Sequence, residues 1–187
     1  MKKTLFSAIL AATFGFVALS AHAADGKITF LGHIDDVTCT VTGGAGTTSV
    51  GSDITVKLPT VSVSSLANAQ DRAGDTPFAL TVGGSGQTGC TNGKVVSLKF
   101  EGAQSAQLNA ATGNLTNVTG SGMAGNVEIG LSNSNKAIMN LYTNTNPSTA
   151  TIAANTATLN YWAQYVSTGG TTTRDVNTNV VFSLVYN

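Results

Sequence analysis

The stretch that decides the fold is ADGKITFLGHIDDVTCTV, residues 24–41. Ile28, Phe30, Gly32 and Ile34 occupy alternate positions in it, so in an extended strand their side chains project to one face. Gly32 is the small member of an otherwise bulky row, and a glycine inside a strand often marks a place where another chain comes close. The alternation predicts a strand with one apolar face ahead of the first cysteine.

The residues upstream of this stretch have the pattern of a secretory signal peptide. A positively charged start (residues 1–3) precedes an apolar run (residues 5–19) and a small-x-small cleavage signal that ends at Ala23. The run is short for a membrane span of about 20 residues, which disfavours the alternative of a transmembrane helix. We therefore expect residues 1–23 to be removed and the exported chain to have no transmembrane segment.

The charge of the chain excludes some classes of partner. The 187 residues include 9 Lys and Arg against 9 Asp and Glu. Removal of residues 1–23 takes two lysines away, which leaves 7 basic and 9 acidic residues, a net charge of −2. This balance provides no basic field for nucleic acid or anionic lipid. Few charges (10%) with many hydrophobic residues (42%) also argue against disorder.

Cys39 and Cys90 are the two cysteines of the chain. An exported protein meets an oxidising compartment, where the two can pair. The pairing would close a loop of roughly 50 residues, worth about 4 kcal/mol on the chain-entropy model. Two free thiols or a metal pair are the alternatives, although two ligands alone make a poor zinc site.

The exported sequence contains no recognisable catalytic constellation. His33 is its one histidine, and a general base needs a positioned partner, which the sequence does not supply. The many Ser and Thr residues include no G-x-S-x-G elbow. We therefore expect no catalytic residue, no metal, no cofactor and no enzymatic activity.

Short runs rich in Val, Ile, Thr, Tyr and Phe alternate with Gly- and Asn-rich turns along the rest of the chain. This pattern is typical of an all-β sandwich or barrel. One short helix is predicted over residues 63–72. The clearest predicted strands are residues 54–58, 78–82, 95–100, 127–131, 158–166 and 179–186.

Together these features resemble the pilins of chaperone–usher fimbriae, the type 1 fimbrial subunit family. The resemblance rests on the alternating extension before Cys39, the spacing to Cys90, the YWAQY strand of residues 161–165, and the penultimate Tyr186. It covers nearly the whole exported chain. One departure concerns the turn before the last strand, because family members carry a glycine closer to the end of the chain than the Gly169-Gly170 pair.

The resemblance implies an all-β fold, an incomplete immunoglobulin-like β-sandwich that lacks its last strand and leaves a groove along its core. A donor strand from a neighbouring subunit would complete it, which is a case of β-augmentation. Residues 24–187 would form a single pilin domain, with residues 24–36 as its donor-strand extension. Gly32 would lie where the receiving groove is too shallow for a side chain. The side chains that fill pockets in the neighbour would be Ile28, Phe30 and Ile34.

The resemblance also implies a role for the C-terminal strand and identifies the binding partners. The C-terminal strand would line the groove and face a periplasmic pilus chaperone, and the terminal carboxylate would meet a basic pair on that chaperone. An outer-membrane usher and identical or related pilin subunits would be the other partners, and the subunit would pass through the periplasm to a cell-surface fimbria. The residues implied in the C-terminal strand are Val180, Phe182, Leu184, Tyr186 and Asn187.

We therefore predict a structural subunit that polymerises by donor-strand exchange into the shaft of a fimbria for bacterial adhesion. A single domain favours this role, because a tip adhesin would carry a second, ligand-binding domain. The alternatives are a minor or tip subunit, and a secreted lectin-like β-sandwich with glycan contacts in its Asn- and Thr-rich loops. For residues 24–36 the competing interpretation is an ordinary first strand packed in its own domain.

Overall fold

The structure is a computed structural model that describes residues 38–187. The predicted signal peptide, residues 1–23, therefore lies outside the described residues. So do His33 and the predicted donor-strand residues Ile28, Phe30, Gly32 and Ile34.

The described chain is built of short and medium strands joined by turns. Two 3-10 turns, Val63–Leu66 and Gly102–Gln104, interrupt them. Among the described residues, no helix has the length and apolar character needed to span a membrane. The strands are β1 (Val41–Gly43), β2 (Thr47–Val50), β3 (Asp53–Val56), β4 (Arg72–Gly83), β5 (Val95–Phe100), β6 (Leu115–Thr116), β7 (Val127–Asn133), β8 (Thr149–Thr151), β9 (Thr156–Ser167) and β10 (Phe182–Tyr186).

Two antiparallel sheets form the body of the fold. One has five strands in the order β1-β4-β9-β7-β6, and the other has three in the order β10-β5-β8. β2 and β3 pair only with each other, as a hairpin. The core draws apolar side chains from both sheets, so their inner faces pack together as a sandwich. Fully buried examples from the strands are Val82, Val96 and Leu159, and the loop residues Leu141 and Ile152 are buried with them.

The alternation in β9 shows how the sequence builds this core. Leu159, Tyr161 and Ala163 are buried on the inner face, while Trp162 lies half-buried on the outer face. The Tyr161 ring stacks on Phe78 of β4, with centroids 5.3 Å apart, a spacing typical of favourable aromatic pairs. The period of two that predicted the strand therefore also places Tyr161 in the core.

Each of the six predicted strands overlaps an observed one, and residues 95–100 match β5 in full. The helix predicted over residues 63–72 is wrong, because only the 3-10 turn Val63–Leu66 forms there. Beyond it, the Asp71 carboxylate accepts a 2.7 Å hydrogen bond from the Asn68 main-chain N–H. Such side-chain turns compete with the helical hydrogen bonds. Gln70 then takes a positive φ of 73°, which ends the helical path.

A disulfide joins Cys39 to Cys90, as predicted. It fastens the start of the described chain to the loop between β4 and β5. Two further hydrogen bonds hold the same point. The Thr38 N–H donates to the Gly89 carbonyl at 2.7 Å, and the Cys39 N–H donates to the Tyr186 hydroxyl at 3.2 Å. The chain just before β1 and the end of β10 are therefore held together beside the disulfide.

Gly83, at the end of β4, is packed so closely that we expect Gly83→Ala to be strongly destabilising. Its φ is +76°, and an added Cβ would collide with the Asn155 carbonyl and lie 2.6 Å from Cys90 Sγ. Gly86→Ala is the matched control, because its φ is +82° and a Cβ there meets nothing.

Because Gly86→Ala has a positive φ but no clash, its loss of unfolding free energy measures the backbone strain alone, about 1–2 kcal/mol. The clash should add about 1–3 kcal/mol to the loss at Gly83. Urea unfolding of the two variants measures the difference. Equal losses of stability would show that the packing around Gly83 relaxes freely.

Candidate functional site

An apolar groove opens into the core between the two sheets. It has a volume of about 1050 Å³. Its lining includes residues 54–61, which comprise part of β3 and the chain after it, and residues 171–180, which lead towards β10. The floor consists of side chains from both sheets, including Leu80, Leu98, Phe100, Ile129, Leu131 and Tyr161.

The groove exists because the sandwich has an open edge there. Within the described chain, β10 is an edge strand and has β5 as its neighbour. β3, which also lines the groove, forms its ladder with β2 alone. No described strand pairs with either element at the groove, so both edges are available to a further strand.

The register of β10 identifies which backbone groups face this opening. Main-chain bonds join Glu101 to Val181 and Val95 to Asn187. Because bonded pairs alternate in an antiparallel ladder, the intervening Phe182 and Leu184 direct their N–H and C=O groups to the other edge. An apolar groove therefore lies beside a strand edge that can accept a further strand.

The predicted C-terminal residues divide along β10. Val180 and Phe182 line the groove, whereas Leu184 and Tyr186 pack against the core further along the strand. The main chain of Asn187 exchanges two hydrogen bonds of 2.9 Å with Val95. The final residue thus extends the β5–β10 ladder.

Most of the groove's lining was not predicted from the sequence. The TTTRDVNTN segment, residues 171–179, is polar and lacks alternation, yet it forms one side of the groove. Tyr161 could be placed in the core by its position in β9, but nothing in the sequence showed that it would line a groove. The pair Gly169 and Gly170 has positive φ and forms the turn after β9, so the chain runs irregularly from there to β10.

The lining of the groove carries few charged side chains. Its charged lining residues are Lys57, Arg174 and Asp175, and within residues 38–187 no group of three His, Cys, Asp or Glu side chains could hold a metal ion. Burial raises the pKa of Tyr161 far above its usual value, so its hydroxyl stays protonated. Burial also raises the pKa of Tyr165, which lines the groove nearby.

Comparison with known proteins assigns the chain to a family. The family model described as type-1 fimbrial protein, A, matches residues 58–187. The chain belongs to the type-1 fimbrial protein family.

Two relatives extend this match across the fimbrial subunit. The major fimbrial subunit SMF-1 of Stenotrophomonas maltophilia is 37% identical over 176 residues, covering 90% of this chain and 96% of the relative. The F17 fimbrial protein of Escherichia coli is 41% identical over 168 residues, covering 88% of each chain.

A solved structure supports the fold. A subunit of a chaperone–usher pilus superposes with a TM-score of 0.52 at 18% identity, over 88% of this chain and 96% of the other. The two sheets therefore form the immunoglobulin-like sandwich of chaperone–usher pilins. The molecule is a structural pilin subunit of a surface-exposed fimbria, and such subunits polymerise with one another.

Proposed function

We propose that this fimbrial subunit polymerises by donor-strand exchange, with residues 24–36 of one copy inserted in the groove of the next. Residues 24–187 would form one pilin domain, of which residues 24–36 are the extension. The product would be the shaft of an adhesive fimbria. The match to a relative named a major fimbrial subunit, along 96% of that relative's length, supports the shaft assignment.

The observation that carries this proposal is the open edge of β10 beside an apolar groove. A strand inserted there could pair with the outward-facing main-chain groups of Phe182 and Leu184. Its inward side chains would pack on the floor of the groove near Leu98 and Ile129. Such an occupant needs a period of two, with one apolar face.

Residues 24–36 have that pattern. Ile28, Phe30 and Ile34 alternate along one face, and burial of each would contribute about 1.5–3 kcal/mol. Three such side chains together amount to several kcal/mol, which is comparable with the total stability of a domain. An empty groove would be correspondingly costly and prone to pair with other strand edges.

The free-energy cost of an empty groove explains the proposed route of assembly. After removal of residues 1–23 and export, a periplasmic chaperone would lend a strand to the groove of each subunit. At an outer-membrane usher, the extension of the next subunit would replace it. We propose that the chaperone also binds the carboxylate of Asn187, whose main chain is fixed at the end of the β5–β10 ladder.

Gly32 provides the test of the donor assignment. Gly32→Leu should reduce the yield of fibres at least tenfold, because the bulky side chain would hold the inserted strand away from the groove's floor and forfeit over 1.4 kcal/mol. His33→Leu is the matched control, since it adds the same side chain to the opposite face of the strand.

Fibres sheared from the cell surface and quantified by immunoblot measure the effect. Both variants should still copurify with the chaperone, because the change lies outside the receiving groove. Equal fibre yields from the two variants would reject the donor role of this face.

A further inference from the structure

An exposed basic side chain, Arg174, lines the groove without an ion-pair partner among the described residues. The charged lining consists of Arg174, Lys57 and the acidic Asp175, so its net charge is +1. The ion pairs within residues 38–187 include neither of the two basic residues. The groove therefore offers an unpaired cation to an acidic group of its occupant.

Hydrogen bonds fix Arg174 at one end of the five-stranded sheet. On one side of it, Thr172 Oγ1 accepts a 2.8 Å hydrogen bond from the Gly125 N–H. On the other side, the Asp175 carbonyl accepts one of 2.8 Å from the Ala124 N–H. The loop that supplies both donors leads directly into β7, whose first residue pairs with the last residue of β9. Arg174 therefore lies at the end of the sheet where β9 ends.

The described chain begins at the opposite end of this sheet. Its first residue, Thr38, precedes Cys39, which is bonded to Cys90. The Cys90 Sγ would lie 2.6 Å from a Cβ on Gly83, the last residue of β4, which pairs with the first residue of β9. Because β9 has 12 residues, the two ends are about 35 Å apart along the strand.

An acid pair, Asp35-Asp36, lies just before this starting point in the sequence. Three residues of fully extended chain span at most about 11 Å, so the acid pair stays well short of the Arg174 of its own copy. An ion pair between these charges must therefore join two copies, with the disulfide end of one beside the Arg174 end of the other. Repeated contacts of this head-to-tail kind build a filament wherever they do not close a ring.

We propose that Arg174 is a specificity-determining residue of the groove, which pairs with Asp35-Asp36 of the copy whose strand is inserted. This inference rests on the proposed function, in which residues 24–36 fill the groove. The contact favours the insertion in which the acid pair stays at the Arg174 end and the start of the extension points towards the disulfide end. Charges at the rim of an interface act in this way, since they steer association and fix the register.

The test titrates a synthetic peptide with the sequence of residues 24–36 and an amidated C-terminus into the full exported chain. A second peptide carries Asp35→Asn and Asp36→Asn, which remove both charges with little change in shape. Arg174→Glu is the variant of the receiving chain. Lys94→Glu is the matched control, because it makes the same change of charge at a residue that does not line the groove.

At low salt, Arg174→Glu should weaken binding of the unaltered peptide about three- to tenfold, since it replaces an attraction by a repulsion. The Asn-containing peptide should bind Arg174→Glu within about twofold of the parent chain, and Lys94→Glu should bind both peptides within about twofold. The effect of Arg174→Glu should shrink at about 1 M salt, where the screening length is about 3 Å. An arginine that only supported the fold would weaken both peptides alike.

Equal binding of the unaltered peptide by Arg174→Glu and the parent chain would overturn the inference and leave the donor-strand assignment standing. So would equal weakening of the two peptides, or equal weakening by Arg174→Glu and Lys94→Glu. Failure of the unaltered peptide to bind the parent chain would instead reject the proposed function, and this inference with it. If Arg174→Glu does not fold, the same comparison with Arg174→Gln decides the question.

Discussion

Deletion of residues 24–36 is expected to abolish fibres. The deleted subunit keeps its groove, which lies within the described residues, but it has no strand to insert into another copy. Electron microscopy of the cell surface and the amount of sheared, polymeric subunit measure the result. The deleted chain should still bind a peptide with the sequence of residues 24–36, which shows that the groove remains intact.

A register variant provides the control for this deletion. Exchanging each inward residue with its outward neighbour keeps the length and composition of residues 24–36 but moves the apolar face to the other side of the strand. This variant should fail to polymerise as completely as the deletion. Normal fibres from either variant would show that the extension is not the polymerisation element.

Removal of the disulfide is expected to cause the largest loss of intrinsic stability. The bond between Cys39 and Cys90 spans a sequence separation of 51 residues, for which the chain-entropy model gives about 4 kcal/mol. The double variant Cys39→Ser, Cys90→Ser should lose that amount in urea unfolding, since its unfolded chain is no longer constrained. The Cys39 N–H would also be less firmly held against Tyr186.

Chemical reduction of the parent chain is the matched comparison for the double variant. Both treatments open the same loop, so the two unfolding midpoints should fall together. A midpoint that does not move in either case would mean that the packing of β1 and β10 alone sets the stability of this end of the sandwich.

Local pattern was sufficient to predict most of the longer strands, but not the short strands β2, β6 and β8. Residues 95–100 were placed correctly because a period of two in apolar residues depends only on near neighbours. The helix predicted over residues 63–72 failed because the Asn68–Asp71 turn competes with helical hydrogen bonds. The pairing of Cys39 with Cys90 could be predicted without knowledge of the fold, because an exported chain with two cysteines meets an oxidising compartment.

The groove could not be predicted from the residues alone, because it depends on which strand edges stay unpaired in the folded chain. Residues 54–61 and 171–180 lie far apart in sequence and have no common pattern, yet both line the same groove. The incomplete sandwich was expected from family resemblance.

The most direct measurement of the central claim is a cryo-electron microscopy map of the assembled fibre, at a resolution that shows side chains. We predict continuous density for residues 24–36 of one subunit in the groove of its neighbour, beside β10, with Ile28, Phe30 and Ile34 facing the core. An empty groove, or one occupied by a different segment, would contradict the account.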